Sequence, residues 1–189
     1  RPTAAAASNL GTIEFARGRY AAAARAFERA VALDDSDYRL WRNLGLSHQW
    51  APGEREKAGR AFERAVSLGD ERLRVNPRDA GLLADLGDCL AALGRPAVAK
   101  ERLAAALALA PDDVEVQQKA AATYEQLGDR EAALRWIRRA LAGGYPLAQV
   151  AADPGLAGLR ADPRFPGAGS PPLTPAPDGA GVSSRAKRE

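Results

Sequence analysis

The chain has 189 residues, of which 46% are hydrophobic, 27% charged and only 6% aromatic, with a formal net charge of +3. One cysteine, Cys89, excludes an internal disulfide, and no apolar run approaches the ~18 residues that span a bilayer. Positive and negative residues are too evenly balanced to predict the clustered basic face that nucleic-acid binding usually shows, so we expect no nucleic-acid partner. No leader-like segment opens the chain, and we expect a cytoplasmic segment without membrane contact.

The first residues, Arg1-Pro2, are not preceded by a methionine, and the sequence contains no methionine at all. A complete translation product would normally begin with one. We therefore expect a piece of a longer protein, with residues 1–3 as the edge of the fragment.

A helical hairpin recurs along the chain. Pairs of small or apolar residues stand at Leu10-Gly11, Leu44-Gly45, Leu86-Gly87 and Ala120-Ala121, separated by 34, 42 and 34 residues. A turn follows each pair at Gly18, Pro52-Gly53, Gly94 and Gly128. Neither helix of such a unit can bury its apolar face alone, so neighbouring units must stack. The pattern predicts four units within residues 4–143, at about 4–37, 38–79, 80–113 and 114–143.

The second unit is longer than the others. Its second helix keeps one small or apolar face through Gly69 and Leu73, which predicts a helix that continues to about Val75 although a mid-helix glycine costs roughly 1 kcal/mol. Pro77 then ends it. One added residue at the turn and about two added helical turns account for the longer spacing.

Residues 144–165 follow the last repeat and predict a capping segment. Asp153-Pro154 and Asp162-Pro163 are helix-start signals, with Asp as the cap and Pro at the first helical position. Leu156 and Leu159 are spaced to face the preceding helix. From 166 to 189 the sequence is dominated by Pro, Gly, Ser and Ala, which predicts a disordered tail.

The repeated pattern resembles the tetratricopeptide repeat (TPR). Trp41, Leu44 and Gly45 match the start of that family's motif, and Pro77 and Pro111 match its closing proline. The resemblance implies an all-α solenoid of about four helical hairpins, in which the first helices line a concave groove. It also implies protein binding without catalysis.

A narrower resemblance covers about Tyr38 to Phe165. The lengthened second unit and the closing Leu-x2-Leu-Arg-x-Asp-Pro-Arg-Phe look like the C-terminal TPR region of bacterial serine/threonine protein kinases. That family continues in helix after the phenylalanine, whereas Pro166 interrupts the chain here. No kinase motif is present in the sequence, so the resemblance implies a regulatory or scaffold region of a larger signalling protein.

The resemblance also implies which residues face the groove. The positions that face it predict a partner-binding surface of ten residues, namely Thr12, Phe15, Arg39, Arg42, Leu46, Gln49, Trp50, Asp88, Gln118 and Glu125. This groove would be apolar and basic toward the second unit and acidic toward the fourth. Trp50 could instead pack against the long helix.

Other reactive residue types have structural interpretations. His48, the only histidine, is expected to pack between helices, and Cys89 to act as a small buried hydrophobe. Arg135, Arg138 and Arg139 share a helix face, which favours a solvated surface or pairing with Glu131 over a phosphate site. We therefore expect no catalytic, cofactor or metal site.

Two kinds of function remain open. The first is the binding of a protein partner, as a peptide or helix in the concave groove. The second is a structural self-association module, in which the outer face of the first helix stacks on another copy. An enzymatic role is disfavoured because the sequence offers no acid–base constellation.

Overall fold

A computed structural model describes residues 3–166, which form ten α-helices and one 3-10 turn and contain no strand. The helices are α1 (Ala4–Ala16), α2 (Tyr20–Leu33), α3 (Tyr38–Trp50), α4 (Arg55–Val75), α5 (Ala80–Ala92), α6 (Pro96–Leu109), α7 (Val114–Gln126), α8 (Arg130–Ala142), α9 (Leu147–Ala152) and α10 (Ala157–Arg160). None of these helices is both long and apolar enough to cross a membrane. The predicted tail from residue 167 and the first two residues of the predicted N-terminal edge lie outside the described residues.

Four consecutive hairpins build the molecule and confirm the predicted all-α solenoid. Each hairpin pairs two neighbouring helices, from α1 with α2 to α7 with α8, and successive hairpins stack on one another. The turn inside each hairpin contains a glycine in the left-handed region, with φ between 70° and 78° at Gly18, Gly53, Gly94 and Gly128. Other residues adopt this conformation at a cost, which explains why glycine recurs there.

Aspartates start the first helices of the later hairpins. Asp37, Asp79 and Asp113 each accept a hydrogen bond from a backbone N–H in the first turn of α3, α5 and α7. These bonds satisfy donors that have no partner inside the helix. The start of each hairpin is therefore encoded locally.

One large side chain from each second helix forms the centre of the core. Phe27, Phe62, Leu103 and Ile137 occupy equivalent positions and are at most 2% exposed. Gly45 of α3 lies directly over the Phe62 ring, and a Cβ there would come within 2.6 Å of it. The small residue on the first helix thus lets the two helix backbones of a hairpin approach each other.

The long helix α4 ends at Val75, as the sequence predicts, and has 21 residues. Gly69 lies within it and is buried against α5, where an added Cβ would be 2.5 Å from a methyl carbon of Leu86. The mid-helix glycine is therefore explained by close packing between the second and third hairpins. The last turn projects past this contact, and Val75 is 87% exposed.

The cap, residues 145–165, folds back over the fourth hairpin. Val150, Leu156 and Leu159 are fully buried and extend the core of that hairpin. Asp153 begins the 3-10 turn Pro154–Leu156 by accepting a hydrogen bond from the Gly155 backbone N–H, as its Asp-Pro sequence predicts.

The helix start predicted from the second Asp-Pro pair is wrong, because no helix begins at Asp162. The Asp162 carboxylate accepts hydrogen bonds from the backbone N–H and the guanidinium of Arg164. This local pair closes a tight turn, and Phe165 then turns into the core with 7% of its surface exposed. Burial of the aromatic ring and the local hydrogen bonds decide the conformation against helix initiation.

Candidate functional site

The concave side of the solenoid encloses a cavity of about 650 Å³. Its walls come from the first helices of the hairpins, α1, α3, α5 and α7, and from the cap. Nine of the ten predicted groove residues border it, namely Thr12, Phe15, Arg42, Leu46, Gln49, Trp50, Asp88, Gln118 and Glu125. Arg39 does not, because its guanidinium lies over the ring of Tyr38, 5.6 Å from the ring centroid. That these residues bind a partner stays a prediction.

Phe15 and Trp50 line the cavity, and Tyr20 packs against both rings; we call Phe15, Tyr20 and Trp50 the aromatic cluster. Phe15 and Tyr20 meet edge to face with centroids 5.1 Å apart, and the Tyr20 and Trp50 rings lie 6.4 Å apart. Trp50 is half-buried and borders the cavity. Its ring therefore joins the first and second hairpins at the groove. Tyr20 was not predicted, because it opens the second helix of its hairpin and the resemblance places only first helices in the groove.

Charged side chains from three hairpins meet at the cavity, and we call Arg42, Asp85, Asp88 and Lys119 the ion cluster; all of them except Asp85 border the cavity. Arg42 contacts Asp88 at 2.9 Å and Asp85 at 3.5 Å. Lys119 of α7 contacts the same Asp85 at 2.7 Å, and the Tyr38 hydroxyl donates to it at 3.1 Å. Lys119 and Asp85 were not predicted, because periodicity does not show which charges from different hairpins meet.

The ion cluster neutralises the charges it contains. Burial disfavours the charged form of Asp85, but Arg42 and Lys119 outweigh it and lower the pKa of that carboxyl. Burial likewise opposes the charge of Arg42, yet Asp85 and Asp88 hold the Arg42 pKa above its usual range. The basic character predicted toward the second unit is therefore cancelled by carboxylates of the third.

The cap supplies a wall that the sequence did not predict, through Tyr145, Gln149, Ala152, Asp153 and Gly155. Asp153 accepts hydrogen bonds from the Gln118 amide and the Gly155 backbone N–H, both at 2.8 Å. Burial raises the pKa of Asp153, and the negative charge of Asp88 raises it further. Repeat periodicity could not reveal this wall, because the cap lies outside the repeats.

Glu125 of α7 completes the acidic part of the cavity. One of its carboxylate oxygens, Oε1, pairs with the Arg130 guanidinium at 2.6 Å. The other, Oε2, is buried and has no hydrogen-bond partner among residues 3–166. A buried carboxylate oxygen without a donor is uncommon, which makes this atom a candidate ligand contact.

The remaining candidate residues lie away from the cavity. His48 is 4% exposed and packs between helices as predicted, with Nδ1 2.7 Å from Oε2 of Glu54. Cys89 is fully buried, and burial raises the pKa of its thiol, which makes it unreactive. Both side chains contribute to packing.

The arginines of α8 make separate contacts. Arg138 donates to the backbone carbonyl of Arg164 at 2.7 Å, and Arg139 pairs with Asp112 at 2.8 Å. Arg135, Arg138 and Arg139 are all exposed, as the solvated-surface alternative predicts, whereas the alternative pairing with Glu131 does not form because that carboxylate pairs with Arg164 of the cap. The cap folds back over α8, so Arg164 takes the Glu131 carboxylate in place of the α8 arginines.

Residues 4–37 and 114–142 each match the tetratricopeptide repeat. Among solved structures, the chain is similar to the crystal structure of MamA, with 22% identity over 77% of this chain and 81% of that chain and a TM-score of 0.45. It is also similar to TTC0263, a thermophilic TPR protein of Thermus thermophilus, with 25% identity over 82% and 99% of the two chains and a TM-score of 0.48. No protein of curated function matches the chain. The first and fourth hairpins thus match the tetratricopeptide repeat, and these two matches support a role as a protein-interaction scaffold.

Proposed function

We propose that this chain is a non-catalytic interaction module that binds a short peptide segment in the concave cavity. The observation that carries the proposal is that Phe15 and Trp50 of the aromatic cluster line the cavity together with Leu46 and Ala122. Aromatic side chains near a concave centre are the residue types that dominate protein recognition.

The cavity volume suits a short peptide segment. At about 650 Å³ it falls in the range of roughly 300–1,000 Å³ that encloses a drug-sized ligand. A few residues with one or two inserted side chains fit this space.

Binding of blocked peptide pools, measured by fluorescence anisotropy, tests the proposal. We expect Trp50→Ala to weaken binding about tenfold or more, because the substitution removes a half-buried aromatic contact at the cavity. Val75→Ala is the matched control, since Val75 is exposed on the last turn of α4 and does not border the cavity. Equal binding by the Trp50 variant and the parent would move the site elsewhere.

We also propose that the module works in the cytoplasm within a larger bacterial signalling protein, such as a serine/threonine kinase. The lengthened second hairpin and the closing Leu-x2-Leu-Arg-x-Asp-Pro-Arg-Phe support this context. Sequencing the reading frame upstream of Arg1 tests it. A frame without a kinase-like or other signalling domain would contradict it.

Self-association is a second candidate, favoured by one observation. Leu10 and Ile13, three residues apart on α1, are 41% and 49% exposed on the outer side of the first hairpin. Two large apolar side chains at this spacing form a stripe that a second copy could cover. Light scattering across a concentration series tests this, with Leu10→Glu as the disrupting variant. A monomer at all concentrations would count against the candidate.

A further inference from the structure

The cavity's charges are distributed so that its two sides differ in what they can bind. Building on the proposed peptide site, we infer that the bound segment carries a large apolar side chain close to a lysine or arginine. The apolar side chain meets the aromatic cluster, and the cation meets the carboxylates of Glu125 and Asp153.

The cations of the ion cluster cannot attract an acidic ligand strongly. Arg42 and Lys119 lie 2.9 Å and 2.7 Å from carboxylates of the third hairpin. Binding a ligand carboxylate would require them to give up these partly buried partners. Arg55 lies exposed at the rim, where solvent and salt screen its charge.

The carboxylates of the fourth hairpin and the cap have fewer charged partners than Asp85, which contacts both Arg42 and Lys119. Oε2 of Glu125 is buried without a hydrogen-bond donor among the described residues. The Asp153 carboxylate receives only neutral donors, the Gln118 amide and the Gly155 backbone N–H. An ammonium or guanidinium group would supply the charged donor that this oxygen and this carboxylate lack.

Nearby titrating groups respond to the same negative charge. Burial raises the pKa of Tyr145 to about 12, and Glu115 and Asp153 add to the rise. Burial also raises the pKa of Tyr20, where Asp153 adds to the rise and Arg160 opposes it. Both shifts agree with a negative charge on Asp153 near these rings.

The aromatic cluster provides the second half of the recognition surface. Its rings offer apolar area next to Leu46, and their faces also attract cations. A side chain such as leucine or tryptophan can pack there while a neighbouring basic residue reaches the carboxylates. The bound segment is thus defined by two nearby side chains, one large and apolar and the other basic.

Three blocked, fluorescein-labelled pentapeptide pools test the inference. Each pool has leucine at the second position and arginine, citrulline or glutamate at the fourth, with the other positions mixed. Citrulline matches arginine in shape but carries no charge. We expect the arginine pool to bind about tenfold more tightly than the citrulline pool, with the glutamate pool weakest.

The outcomes separate this inference from the proposed function. Binding that depends on Trp50 but is equal for arginine and citrulline, or tighter for glutamate, overturns the cation requirement and leaves the peptide site standing. No Trp50-dependent binding by any pool overturns the peptide site and, with it, the inference.

A double variant locates the cation. Glu125→Gln with Asp153→Asn should bring the arginine and citrulline pools within about twofold, because the two charges are gone while the aromatic cluster remains. Asp112→Asn is the control, since Asp112 is exposed and does not border the cavity. A double variant that is folded by circular dichroism and keeps the tenfold preference would overturn the assignment to Glu125 and Asp153.

Discussion

Asp85 of the ion cluster is buried and Asp153 of the cap is half-buried at the cavity, yet the pKa values of the two carboxyls shift in opposite directions. Asp85 lies between Arg42 and Lys119, which lower its pKa despite burial. Asp153 has only amide donors, and burial raises its pKa. The cluster thus uses its charges to hold hairpins together, whereas the Asp153 carboxylate of the cap has no charged hydrogen-bond donor among the described residues. Two carboxyls near one cavity therefore differ in the charges that balance them.

The largest expected effect comes from breaking the ion cluster. Arg42→Met leaves Asp85 and Asp88 without their main counter-ion, and we expect the free energy of unfolding to fall by about 3 kcal/mol. Urea denaturation measures it. Arg139→Met is the control, because it removes an exposed pair with Asp112 and should cost under about 1 kcal/mol. Similar losses for both variants would contradict a structural role for the cluster.

A smaller effect is expected where α4 packs against α5, next to the ion cluster. Gly69→Ala would place a Cβ 2.5 Å from the buried Leu86, and we expect a loss of about 1–2 kcal/mol in unfolding free energy. Gly59→Ala is a matched control in the same helix, because nothing lies within 4 Å of its added Cβ. Helix propensity should make that variant more stable by roughly 0.5–1 kcal/mol. Thermal or urea unfolding should therefore shift in opposite directions.

The smallest effect, but the sharpest in sign, concerns the cap. The raised pKa of Asp153 means that the folded state binds its proton more tightly, so this residue's contribution to stability falls as pH rises through that pKa. Asp153→Asn removes the cost of burying the charge, while the Gln118 amide can rotate to keep a hydrogen bond. We expect the variant to be more stable than the parent at pH 7 and equal to it below the ordinary aspartate pKa of about 3.9.

Asp85 should change the stability of the folded state with pH in the opposite direction. Its lowered pKa stabilises the folded state above the ordinary aspartate value, and this contribution is lost as pH falls through the folded pKa. A pH series of urea unfolding for the parent and Asp153→Asn measures both trends. A gap between the two proteins that widens toward low pH would contradict the assignment.

Much of the fold was predictable because its determinants are local. The turn glycines, the aspartate caps and the apolar spacing of each hairpin act within a few residues, and they set the helix bounds, including the end of α4 at Val75. The second Asp-Pro signal failed because a nearby arginine and a buried phenylalanine competed with the local preference. Local helix propensity does not decide the conformation where burial of a side chain in the tertiary structure contributes more free energy.

The sequence by itself determined the repeat, and the resemblance to a known repeat family predicted nine of the residues around the cavity. Only the tertiary structure decided that Arg42 is neutralised, that Tyr20 packs against Phe15 and Trp50, that the cap borders the cavity, and that Oε2 of Glu125 and the Asp153 carboxylate lack a charged donor among the described residues. The reason is physical: periodicity specifies which side of a helix a residue occupies, whereas charge pairing depends on residues up to 46 positions apart that meet only after the hairpins stack.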